Sequence, residues 1–164
     1  MYNRDMARRL VLPLVALVLL AACESRDVEK DLKIVDIRTG WYDAGVVAAG
    51  QNKLVPSISL GLQNVSDRDI ASVQLNAVFK RAGEDQAWGE HFIRAIDTDG
   101  LAAGATEGNI VLRSTLGYTG SQSRIQMLQN RDFVDARVEI FGKHGSRTWV
   151  KMAEIPIDRQ LLTE

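Results

Sequence analysis

The chain has 164 residues, 46% of them hydrophobic, with 20 basic and 21 acidic side chains and a formal charge of −1. That length suits one domain with its own core, and a near-neutral balance with no basic run or stripe excludes nucleic acid as a partner. A single cysteine excludes an internal disulfide framework and a thiolate metal site.

The first element in chain order is an export signal. Arg4, Arg8 and Arg9 form a basic start, residues 10–20 an apolar stretch, and Ala21 and Ala22 a small-residue cut site. The apolar run, interrupted by Pro13, is shorter than the ~20 residues a permanent membrane span needs. The string Leu20-Ala21-Ala22-Cys23 resembles the lipobox of bacterial lipoproteins. That resemblance implies that Leu20, Ala21 and Ala22 are the signal-peptidase recognition residues. It also implies that Cys23 is the lipidation site, its thiol taking a diacylglycerol and its freed amino group a further acyl chain such as palmitate. Two or three chains hold a protein stably where one does so only marginally. The lipid bilayer is then the first expected partner, through acylated Cys23. Loss of Arg4, Arg8, Arg9 and Asp5 with the signal shifts the net charge from −1 to −3.

Residues 23–33 carry Glu24, Arg26, Asp27, Glu29, Lys30, Asp31 and Lys33, a composition expected to stay solvated as a tether. The domain is expected over 34–164, after a signal at 1–22 and the lipidated cysteine and tether at 23–33. Its dominant signal has a period of two. Ile34, Val35, Ile37 and Trp41 mark a strand at 33–42, and Leu54, Pro56, Ile58, Leu60 and Leu62 form one apolar row of a second. Asn64-Val65-Ser66-Asp67-Arg68-Asp69 supplies turn chemistry, and Val73, Leu75, Ala77 and Phe79 make a third strand, expected to form an antiparallel hairpin with the second.

Further strands are expected at 86–96, at 107–115, at 134–141 with Val134, Ala136, Val138 and Ile140 on one face, and at 147–157 after a turn at 142–145. A short helix at 121–130, in the connection before the sixth strand, has Ser121 as its cap and Ile125 and Leu128 as its apolar stripe. Seven strands joined by turn signals argue for an all-β fold, an immunoglobulin-like antiparallel β-sandwich. The stretch from Pro56 through Leu62-Gln63-Asn64, with Ile70, Val73, Phe79 and Gly83, is similar to bacterial FxLYD-type and related immunoglobulin-like lipoprotein domains. Leu101-Ala102-Ala103-Gly104-Ala105-Thr106 resembles a later loop of theirs, although Phe79 is followed here by Lys80, Arg81 and Ala82.

Motifs for catalysis are sparse. His91 and His144 lack the spacing that would place two metal ligands together. His144 reads as an exposed residue of a Gly-bounded turn and His91 as a surface or satisfied core histidine. No Gly-x-Ser-x-Gly elbow occurs. Asp97-Thr98-Asp99-Gly100 begins like a calcium loop, yet aligning Gly100 with the required glycine puts Ala95 and Thr106 at two ligand positions, which leaves a polar turn. Trp41, Tyr42, Trp88 and Trp149 could stack on sugars, but their places in or beside strands point to packing.

These features predict a non-enzymatic envelope lipoprotein, without cofactor or metal, presenting a protein-binding or structural surface in the periplasm. The competing reading is a metal-dependent or hydrolytic module using Asp97, Asp99 and His91, or a glycan-binding one. Glu24 behind the cysteine, where Asp is associated with inner-membrane retention in such lipoproteins, favours the outer membrane. Connections in a sandwich alternate between ends, so 43–53, 81–85 and 116–133 are expected opposite the anchored start. Tyr118, Arg124 and Gln129 are the candidate surface for an envelope protein partner.

Overall fold

A computed structural model describes residues 27–162, so the lipobox residues Leu20, Ala21, Ala22 and Cys23 lie outside the described part. A short helix α1 (Val28–Asp31) leads into strands β1 (Leu32–Val47), β2 (Gln51–Asn64), β3 (Val73–Arg81), β4 (Ala87–Ile96), β5 (Thr106–Arg113) and β6 (Tyr118–Gly120). Helix α2 (Arg124–Gln129) follows, then β7 (Ala136–His144), β8 (Val150–Ile157) and β9 (Leu161–Leu162). All seven expected strands are present, and β6 and β9 are short additions. No helix among the described residues is long and apolar enough to cross a membrane.

Two sheets pack face to face. One has the order β5-β2-β1-β9, with β6 also on β2, and the other the order β4-β3-β7-β8. Their inward rows are the rows read from the sequence: Leu54, Ile58, Leu60 and Leu62 from β2 meet Leu75, Ala77, Phe79, Val138 and Ile140, all at or below 2% exposure. The shape is a β-sandwich.

The expected β2–β3 hairpin does not form. β2 pairs with β1, β5 and β6, whereas β3 pairs with β4 and β7, so the chain crosses between sheets at 65–72. Two strands with one apolar row each can bury those rows side by side in one sheet or face to face across a core. Here the second arrangement wins, because β1 is long enough to pair with nearly all of β2, from Leu32 opposite Asn64 to Val47 opposite Gln51.

Asn64 holds the crossing. Its side chain is fully buried, and Nδ2 donates to the carbonyls of Arg68 and Leu101 at 2.9 Å each. Its Oδ1 accepts from Ser66 N at 3.0 Å and Ser66 Oγ at 2.7 Å. This is an Asx turn extended into a clamp between two loops. Asn64-Val65-Ser66, a glycosylation pattern on paper, is a structural turn.

The described part of the expected solvated tether is folded. Asp27 caps α1 by accepting from Glu29 N at 3.2 Å. Val28 and Leu32 are 3% and 4% exposed and belong to the core. Two apolar residues four apart supply a helix-like anchor among charges, enough to fold residues 28–33 onto the domain.

The strand ends are shifted too. Val134 lies before β7 and is exposed, and β7 runs on through Gly142, Lys143 and His144, which places the turn at Gly145. His144 is thus the last ladder residue, opposite Val73, rather than a turn residue. The other missed piece is β9, which pairs in parallel with β1 at Trp41 and Tyr42. Gly40 permits that approach, since a Cβ there would meet Leu162 Cγ at 2.7 Å.

One flank of the sandwich is closed and the other open. His91 on β4 accepts a hydrogen bond from Arg113 N on β5 at 2.8 Å, tying the two sheets together. Across the molecule an apolar groove of about 310 Å³ runs between β1 and β8, lined by Leu32, Ile34, Ile37, Met152 and Ile155. A bulge between Val35 and Arg38, with Asp36 at φ 52°, turns Ile37 toward it.

Candidate functional site

The connections alternate between ends as the strand order requires. Leu32, Asn64, Val73, Ile96 and His144 lie at the end where the chain enters, and Val47, Gln51, Arg81, Ala87 and Ala136 at the remote end. The remote end holds β6 and α2.

Helix α2 forms there because Ser123 and Gln126 make a capping box. Gln126 N donates to Ser123 Oγ at 3.4 Å, and Ser123 N donates to Gln126 Oε1 at 3.0 Å. Ser121, the expected cap, has Arg124 three residues on and therefore no reciprocal acceptor. The Ser-x-x-Gln string was the signal that would have placed it. The buried face of the helix also differs from the expected stripe of Ile125 and Leu128. Met127 and Leu128 are each 5% exposed, whereas Ile125, about 200° around the helix from Met127, is 51% exposed.

Beneath the helix lies an aromatic cluster. The Trp41 ring sits 4.6 Å from Phe133, 5.7 Å from Tyr118 and 6.2 Å from Trp88, and Tyr118 lies 4.8 Å from Phe133. Tyr118 donates its hydroxyl to the Val134 carbonyl at 3.2 Å. Burial pushes that hydroxyl above its ordinary 10.0, so it stays a neutral donor. Between β6 and the chain after α2 is a cleft of about 130 Å³, walled by Tyr118, Gly120, Met127, Asn130 and Phe133. Val46, Leu116, Ile125 and Val134 are exposed apolar side chains of the same end.

The three expected surface residues have different roles here. Tyr118 is packed into the aromatic cluster and forms a cleft wall instead of pointing outward. Arg124 is engaged with Asp43 at 2.8 Å and fixes α2 to the end of β1. Gln129 is exposed. Sequence reasoning missed Ile125 and Val134 as surface residues because each sits in an apolar pattern that implied burial.

The other candidates do not converge. His91, already bonded to Arg113 N, lies mid-strand six residues before Asp97, about 20 Å along an extended chain. Asp97 closes its turn by accepting from Gly100 N at 3.3 Å, with Gly100 at φ 82°. Among the described residues no three His, Cys, Asp or Glu side chains are grouped to hold a metal ion. Of the aromatics weighed for sugar stacking, Trp41 is fully buried, Trp88 is half-buried against the core, and Tyr42 lies 3.6 Å under the Arg113 guanidinium. Only Trp149 of the four is exposed, 6.0 Å from the exposed Phe92 ring.

No family model and no curated protein matches this chain. A solved structure, the X-ray structure of a Northeast Structural Genomics Consortium target, aligns over 80% of this chain and 86% of its own at 8% identity. The TM-score is 0.38.

Proposed function

We propose that this chain is a lipid-anchored envelope lipoprotein whose sandwich presents a non-catalytic protein-binding surface at the end remote from Cys23. The observation that carries this reading is that the same end holds four exposed apolar side chains, Val46, Leu116, Ile125 and Val134, and a cleft walled by Tyr118, Met127 and Phe133. Aromatic walls with apolar neighbours are typical of interface hot spots. The lipobox-like string supports the anchor, and the strand order supports the distance between anchor and surface.

Two experiments test it. Radiolabelled palmitate is expected in the parent chain and not in Cys23→Ser, and equal labelling of both would end the lipoprotein reading. A photo-crosslinking residue belongs at Gln129, because Arg124 is held by Asp43. In living cells position 129 is expected to capture a defined protein at least several-fold more efficiently than position 98, in the turn at the entry end. Capture from 98 alone would move the functional face to the membrane side.

A further inference from the structure

We propose that the β7–β8 hairpin tip docks on the bilayer that carries the anchor, recognising anionic lipid headgroups with Lys143 and Arg147 and entering the interface with Trp149 and Phe92. This rests on the lipoprotein reading and adds a second, non-covalent membrane contact.

The first observation is position. Helix α1 packs beside this hairpin, since a Cβ on Gly142 would lie 3.5 Å from Val28 Cγ2. Asp27 is four residues from Cys23, a reach of at most about 14 Å. A lipid on Cys23 therefore brings the hairpin to the membrane surface.

Charge is the second observation. Between Lys143 and Trp149 the chain has Lys143, His144 and Arg147 and no acidic residue. Among the described residues neither Lys143 nor Arg147 is in an ion pair, in contrast to Lys151, held by Glu139 and Glu154, and Arg94, held by Asp97. Lys143 Nζ instead lies 4.8 Å from the centre of the Trp149 ring. Neither cation is neutralised by a carboxylate among the described residues, which leaves both charges to attract phosphate.

The third observation is the exposed aromatic pair. Phe92 and Trp149, 57% and 38% exposed, meet edge to face at 6.0 Å on the outer side of the second sheet. Tryptophan beside lysine is the composition favoured at the headgroup level, where the ring body is apolar and its N–H and the cation remain wet. Each basic residue near an anionic surface adds about 1 kcal/mol.

The test uses the full lipidated chain reconstituted in vesicles of brominated phosphatidylcholine, with or without phosphatidylglycerol. Trp41 is fully buried and Trp88 packs at the remote end, so lipid quenching of tryptophan emission reports Trp149. Quenching is expected in the phosphatidylglycerol vesicles, is abolished by Trp149→Phe, and falls with added salt. Lys143→Gln with Arg147→Gln is expected to lower the docked-to-undocked ratio about thirtyfold. Quenching that is equal in both vesicle types, or that survives Trp149→Phe, would overturn the proposal. So would protection of Trp149 by peptidoglycan and not by lipid, which would assign the face to a glycan. Palmitate incorporation is scored on the same preparations. An acylated chain without Trp149 quenching sinks the docking alone, and a chain without acyl label sinks both.

Discussion

Leu62→Ala is expected to destabilise the domain by about 2 to 5 kcal/mol, while its neighbour Gln63→Ala costs under ~0.5. Leu62 is fully buried, lies opposite Ile34 on β1, and faces the second sheet across the core. Truncation removes apolar contacts and leaves a cavity that a strand paired on both edges cannot collapse to fill. Gln63 points to the other side of the same strand and is partly solvated, so its loss opens nothing. Urea melts of the two variants check the order. Reversal would mean that the rows of β2 face the opposite way, since a one-residue slip exchanges the faces of a strand.

Asn64→Ala is expected to cost about 2 to 4 kcal/mol through a different mechanism. The deletion removes the hydrogen bonds that the buried Asn64 side chain makes to Arg68, Leu101 and Ser66, each worth about 0.5 to 1.5 kcal/mol net. The Leu101 carbonyl keeps Ile70 N and the Arg68 carbonyl keeps Ser66 Oγ as donors, so the Ser66 N–H is the group left without its acceptor. Asn64→Asp separates the two halves of the clamp. It keeps an acceptor for Ser66 but turns a carboxylate toward two carbonyl oxygens, so it is expected to be at least as damaging as alanine. Thermal melts, with amide exchange over 65–72 and 97–105, report both loss of stability and local opening of the crossing. A melting point within a degree or two of the parent for both variants would show that the clamp is dispensable.

The second outer face carries an interaction that bears on acid stability. Glu139 is hydrogen-bonded by Lys80 at 2.8 Å and Lys151 at 2.9 Å, which holds its carboxyl below the ordinary 4.5. Its contribution is present above 4.5 and is lost as pH falls through the lowered value.

The alternation in residues 54–62, 73–79 and 136–140 determined the strands and which side of each is buried. That information is local, because successive Cβ atoms on an extended chain point to opposite faces whatever the neighbours are. The turn at Asn64 was legible for the same reason, since an Asx side chain bonds within a few residues of itself. Local pattern also placed His91 mid-strand, though not the particular hydrogen bond to Arg113 that ties its sheet to the other.

Partner choice was not local. A row of leucines on β2 is satisfied equally by β3 beside it or β3 across from it, and only the length of β1 and the packing of ten-ångström-apart sheets decided for the crossing. Folding of residues 28–33 onto the domain turned on two apolar side chains finding a distant site near Gly142, which outweighed a composition suited to solvent. The cap of α2, the exposure of Ile125 and the meeting of Phe92 with Trp149 likewise depend on where a distant surface ends. The sequence by itself determined the strands, their inward rows and the anchor-like N-terminal string. Tertiary structure decided which strands became neighbours and which apolar residues were left facing water, because those outcomes depend on contacts between residues far apart in the chain.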